Sequence, residues 1–285
     1  MDVIPPESAK ALASYAKPAS QAIRYIAKAI GLAYQPTHIV RMEKAKAKAR
    51  EIRSTSVSAT ATLRDRAIQR ISTTELRRQA SIESIIDRTA KKVRSFSPSV
   101  FDADQVRSLF ENAQDATRAE VQELWACVLA KELKSPNTFS PRDFHSIKTL
   151  AHSEVDLVLT ASDLVVCATR HVPPIWMLPR TQREKSLSAF GMTQSDLTLL
   201  TQIGVMDDGE ANYVGSGEGR FEISRRGRRL QIEIGKASKD APCITFRQVS
   251  QFGQKLFDAL DLSERNATGV DSVRKLLGGE ITTCR

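Results

Sequence analysis

Apolar residues recur at helical spacing through roughly the first 160 positions, then give way after about residue 190 to short alternating runs with glycine turns between them. Ala9, Leu12, Ala13, Ala16, Ala19, Ile23, Ile26, Ala27 and Ile30 share one helical face. Lys10, Lys17, Arg24 and Lys28 fall largely on another. Pro18 either starts a helix or kinks one. After Gly31 and "YQPT", the stretch "IVRMEKAKAKAREIR" is rich in Ala and Lys and favours helix. "STSVSATATLRDR" follows; its Ser/Thr density lowers helix propensity, so a hinge, a frayed segment or a packed small-residue helix each fits. Ser72 and Glu75 have capping-box spacing, which predicts that a helix restarts there. Its apolar stripe is Leu76, Ala80, Ile82, Ile85, Ile86, Ala90 and Val93, and "SFSPS" ends it. No heptad is clean enough to read as a coiled coil, and there is no internal repeat.

From Asp102 to about Leu164 the pattern predicts a compact helical unit. Thr117 and Glu120 are a second capping-box pair. Val121, Leu124, Trp125, Val128 and Leu129 follow the spacing of a core-facing stripe, so Trp125 reads as core. Glu132 lies on the same stripe; a carboxylate there needs a cation or a helix-terminal donor and reads as part of a structural network. Pro136 ends the helix, and Ser140, Pro141 and Asp143 look like N-cap, N1 and N3 of the next one. The two helices should form an αα-hairpin over a short connection.

Beyond residue 190, "TQSDLTLLTQIGVM" predicts a short helix closed by Gly204. "NYVGSG", "GRFEISR", "RRLQIEI" and "PCITF" read as strands, and "RQVSQFGQKLFDALDL" as a closing helix. The order suggests a small α+β module of winged-helix-like type. The tail after Ser263 holds only a weak helix, "SVRKLLG".

Charge sharpens this picture. The chain of 285 residues carries a net +9, yet residues 1–100 alone hold 19 Lys and Arg against 8 Asp and Glu. The first part is therefore strongly basic and the remainder slightly acidic, which suggests that the basic part meets something anionic. Arg41, Lys44, Lys46, Lys48, Arg50 and Arg53 concentrate the charge, with Ala45 and Ala49 left for close packing. A second cluster is Arg225, Arg226, Arg228 and Arg229, at a predicted hairpin where a wing would touch phosphates. Against base readout, "SDLTLLTQIG" contains no Arg, Lys or Asn.

Catalytic and metal chemistry find little support. Cys127, Cys167, Cys243 and Cys284 lie far apart with no CxxC, which fits reduced thiols in a cytoplasm. His145 and His152 could share a helix face, and His38 and His171 stand alone; no carboxylate or Cys set completes a metal site. "GSGEG" at 215–219 has no following Lys-Ser/Thr and reads as a hairpin turn. No nucleophile stands beside a base in a known motif. The longest apolar runs are too short or too polar to span a bilayer, and the opening residues lack a secretion signal.

Residues 30–160 resemble a bacterial family known only as a domain of unknown function, through "AKAKAREI", "RRQASIESI" and "QELWACVLAKELKSPNTFS". Gln122, Trp125, Ala126, Leu129, Ala130, Glu132, Pro136, Phe139 and Ser140 carry the third match. Ser81 stands where that family has Asn, and Asn137 where Gly is usual. The tail pattern, "LLTQIGVM" then strands then "QFGQKLFDAL", is similar to the same family and to abortive-infection alpha-type proteins. The resemblance implies an accessory or defence-related protein and supplies no catalytic residues.

The sequence thus predicts a mainly α protein: a basic helical region at 1–100, a helical core domain at 101–190, a small α+β module at 191–262 and a tail at 263–285. The expected function is a non-enzymatic interaction protein, in phage defence, with no cofactor and no metal. It would be cytoplasmic or peripheral to a membrane. Its basic half would meet nucleic acid, an anionic membrane surface, a protein partner or a second copy. The alternative is a sequence-independent nucleic-acid binder with a winged-helix-like module.

Overall fold

A computed structural model of the chain describes residues 17–31, 63–168, 175–179, 191–214, 220–225, 228–233, 243–260 and 280–283. Among them the fold is mainly helical, with eight α-helices and seven short strands. The chain divides into two compact units, residues 1–149 and 150–285.

The first unit holds α1 (Lys17–Ala29), α2 (Leu63–Lys92), a 3-10 turn (Pro98–Val100), α3 (Ala103–Ala113), α4 (Ala119–Lys134) and α5 (Pro141–Thr149). Pro18 sits in the first described turn of α1. α1 buries Ala19, Ala22, Ile23, Ile26 and Ala27 against α2 and α3. α4 is the centre: Leu124 through Ala130 are all buried, with Leu133. The five-residue stripe read from the sequence is thus part of a helix enclosed on most of its faces, by α2 and α3 and by the Phe144 ring of α5. Trp125 is 1% exposed and lies 6.3 Å from Phe144, which stacks at 6.2 Å on Phe139.

Helix starts differ from expectation at two places. α2 is continuous from Leu63, so Ser72 lies inside it and caps nothing. Inside the helix the Thr73 hydroxyl bonds back along the backbone, donating to the Gln69 carbonyl at 2.9 Å; residues 54–62 of the Ser/Thr-rich stretch lie outside the described residues. α4 begins after Arg118, which gives no side-chain cap, so the Thr117–Glu120 box does not form. α5 starts as its sequence predicts: the Ser140 amide donates to Asp143 at 2.8 Å, and the Asp143 amide to the Ser140 hydroxyl at 3.2 Å.

The second unit holds α6 (His152–Ala161), β1 (Val166–Ala168), β2 (Ile175–Pro179), α7 (Gln194–Gln202), β3 (Met206–Val214), β4 (Arg220–Arg225), β5 (Arg228–Glu233), β6 (Cys243–Val249), α8 (Gln251–Leu260) and β7 (Glu280–Thr283). The strands form one sheet in the order β3-β6-β2-β1-β4-β5-β7, each neighbouring pair antiparallel. The sheet takes in β1 and β2, from a range expected to be helical, and β7, from the tail expected to hold only a weak helix. β3 and β4, which flank "GSGEG", are not neighbours in the sheet; the expected hairpin there is replaced by β4–β5, closed by the pair Arg225↔Arg228. Gly204 ends α7 with φ 77°, the left-handed conformation that glycine adopts without strain. "SVRKLLG" lies outside the described residues.

Candidate interaction surface

The longest helix carries two different surfaces. The C-terminal half of α2 packs on α4, and Ile85, Ile86 and Thr89 along it are buried. Polar bonds line this seam. The Ser84 hydroxyl donates to the Gln122 side chain at 2.7 Å, and Thr89 to the Ala126 carbonyl at 3.3 Å. Arg88 and Lys92 both reach Glu123, at 3.2 and 2.6 Å. The Lys92 side chain is 3% exposed, so its charge depends on that carboxylate. At the end of the seam Arg78 donates to both oxygens of Asp115, at 2.9 and 3.4 Å, with Arg77 at 3.7 Å from the same group. Hydrogen bonds from Arg78 hold Asp115 below the usual carboxylate range.

The N-terminal half of α2 is exposed. Leu63, Ile68, Ile71 and Leu76 are 76%, 52%, 58% and 46% exposed, four of the five exposed large hydrophobic residues among those described. Arg64, Arg66 and Arg70 are exposed between them.

Glu132, singled out in the sequence, is 3% exposed and has helix-terminal donors as partners, not a cation. It accepts from the Asn137 amide at 2.9 Å and the Phe139 amide at 2.6 Å, so it clamps the α4–α5 connection. The Gln105 side chain donates to the Phe139 carbonyl and ties α3 to the same loop. Burial pushes the Glu132 carboxyl up to about 7, with the nearby Asp102 adding to the rise and the loop amides opposing it. Asn137 turns the loop at φ 61°, in the left-handed region that Gly and Asn tolerate best. Burial pushes the Cys127 thiol up to about 12, so it is held as the protonated thiol, unsuited to nucleophilic attack.

The other sequence candidates are dispersed. Arg41, Lys44, Lys46, Lys48, Arg50 and Arg53 lie outside the described residues, as do Arg226, His38, His171, Cys284 and "GSGEG". Arg225, Arg228 and Arg229 sit at the closed end of the β4–β5 hairpin. His145 and His152 are exposed, and among the described residues no group of three or more His, Cys, Asp or Glu could hold a metal ion. Among them, too, no helix is long and apolar enough to cross a membrane. The exposed half of α2 is not legible as helix, because the sequence predicts a helix start only at Ser72, which leaves Ile68 and Ile71 between it and the Ser/Thr-rich stretch that ends at Arg66. Their spacing of two heptads ahead of Ile82 and Ile85 was the available signal.

The described side chains therefore define a helical unit with an ionic seam and an adjoining exposed apolar and basic stretch. The chain matches the family described as "Protein of unknown function (DUF2806)" over residues 65–261, and it belongs to that family. No curated protein and no solved structure matches it.

Proposed function

We propose that this chain is a non-enzymatic bacterial interaction protein, acting in phage defence of the abortive-infection kind, whose basic helical half makes the contact. The observation that carries the reading is the exposed half of α2, where solvent-facing aliphatic side chains stand among arginines. The basic surplus of the first 100 residues supports it. The defence setting rests on the similarity of the tail pattern to abortive-infection alpha-type proteins.

The test is a low-salt pull-down with the full chain from phage-infected and uninfected cells, identifying both protein and nucleic acid. A salt-sensitive protein partner, enriched on infection and lost when Arg64, Arg66 and Arg70 are changed to Glu, is the expected result. Retention that ignores those changes counts against the reading.

The alternative is sequence-independent nucleic-acid binding with a winged-helix-like second unit. It is favoured by the arginines Arg225 and Arg228 closing the β4–β5 hairpin. It expects binding to a random duplex that falls steeply between about 50 and 200 mM salt, since each neutralised phosphate releases a counterion. Anionic vesicles in the same titration separate lipid from nucleic acid.

A further inference from the structure

Helix α2 already displays, along its own length, the kind of element that packs on it. In the half of α2 that packs on α4, Ile85 is buried and Ile82 half-buried, and Ile68 and Ile71 stand two heptads earlier in the same line. Along the packed half, α2 contributes cations, Arg77, Arg78, Arg88 and Lys92. The facing segment contributes carboxylates, Asp115 and Glu123. That partner ends where Asp115 meets Arg78, while α2 runs on to Leu63 with its isoleucines exposed and Arg64, Arg66 and Arg70 beside them.

We infer that residues 63–77 of α2 are a docking surface for an acidic amphipathic helix of another protein. That helix would have an apolar stripe at heptad spacing, flanked by Asp or Glu. The inference rests on the interaction reading above and names the chemistry of its partner. The occupant extends the α2–α4 seam with the same arrangement of charge. Nucleic acid would leave Ile68 and Ile71 unused, since phosphates engage only the arginines. A membrane surface needs a broad apolar face, but Arg64, Glu75 and Arg78 share the stripe with the two isoleucines and narrow it to a seam. A second copy would bring Arg64, Arg66, Arg70, Arg77 and Arg78, with only Asp65 and Glu75 to offset them, against the same set.

The experiment titrates the full chain with two labelled synthetic helical peptides. They share one Leu/Ile heptad stripe and differ in having Glu or Lys at the flanking positions. The Glu peptide should bind at least about tenfold more tightly than the Lys peptide. Its binding should weaken about tenfold or more in the double variant Ile68→Asp/Ile71→Asp. These residues are exposed, so circular dichroism and melting should match the parent. Arg66→Glu/Arg70→Glu should reverse the preference between the peptides. Equal binding of both peptides, or binding unaffected by Ile68→Asp/Ile71→Asp, overturns the inference. So does a dimer in sedimentation that this double variant dissolves, which would make the occupant a second copy. If neither peptide binds while a random duplex or anionic vesicle still does, this surface is wrong and the broader interaction reading survives. If the pull-down also recovers no salt-sensitive partner, both fall.

Discussion

Trp125 and Glu132 lie two turns apart on one helix and do opposite physical work. Trp125 fills the interior between α4 and Phe144. Removing the indole leaves a cavity that the rigid surroundings cannot close, so Trp125→Ala should cost about 3–5 kcal/mol in urea denaturation. Unchanged stability would show that the ring's volume is not needed there. Glu132 is a buried anion held by amides, and its folded value near 7 lies above the ordinary carboxylate range. A group raised in the folded state contributes most at low pH, and that contribution is lost as pH rises through its folded value. Glutamine is insensitive to pH over this range. The stability of the parent relative to Glu132→Gln should therefore fall between about pH 5 and pH 8, by on the order of 2–3 kcal/mol. Denaturation of both proteins across that range measures it. A constant difference would mean that the Asn137 and Phe139 amides keep the carboxylate ionised throughout.

Two changes test how the elements are built. If α2 is one continuous helix, Ser72 is an exposed interior position, and Ser72→Ala should leave stability unchanged or raise it by about 0.5 kcal/mol. A helix starting at Ser72 would instead lose a cap, about 1 kcal/mol, so the sign of the change in melting distinguishes the two. In the second unit, α8 approaches the α7–β3 connection closely. A Cβ on Gly253 would lie 2.0 Å from the Val205 carbonyl oxygen and 2.7 Å from a Val249 methyl. Helix propensity favours alanine over glycine, so the intrinsic effect of Gly253→Ala is stabilising. The clash should dominate, for a net loss of about 1–3 kcal/mol in thermal or urea unfolding. Ser250 holds the same approach, donating from its hydroxyl to the Gly204 carbonyl at 2.5 Å and accepting from the Gly253 amide at 2.9 Å.

Across the whole molecule, periodicity located α1, α3, α4, α5 and the C-terminal part of α2 among the described residues of the first unit. A buried stripe at intervals of three and four needs only local sequence to be recognised, and so does the Ser140–Pro141–Asp143 start of α5. The same local logic put Trp125 in the core and required a partner for Glu132. The family match at residues 65–261 reaches into both units. What the sequence could not decide was set by contacts between distant segments. The order β3-β6-β2-β1-β4-β5-β7 pairs strands such as β5 and β7 that are far apart in the chain, and backbone hydrogen bonds between them leave no mark on local composition. Whether Ile68 and Ile71 are core or surface depends on where α4 stops, not on their spacing, because an apolar stripe has the same period with or without a helix lying against it. The identity of the Glu132 partners is tertiary for the same reason: main-chain amides exist at every residue, and only the turn at Asn137 aims two of them at one carboxylate.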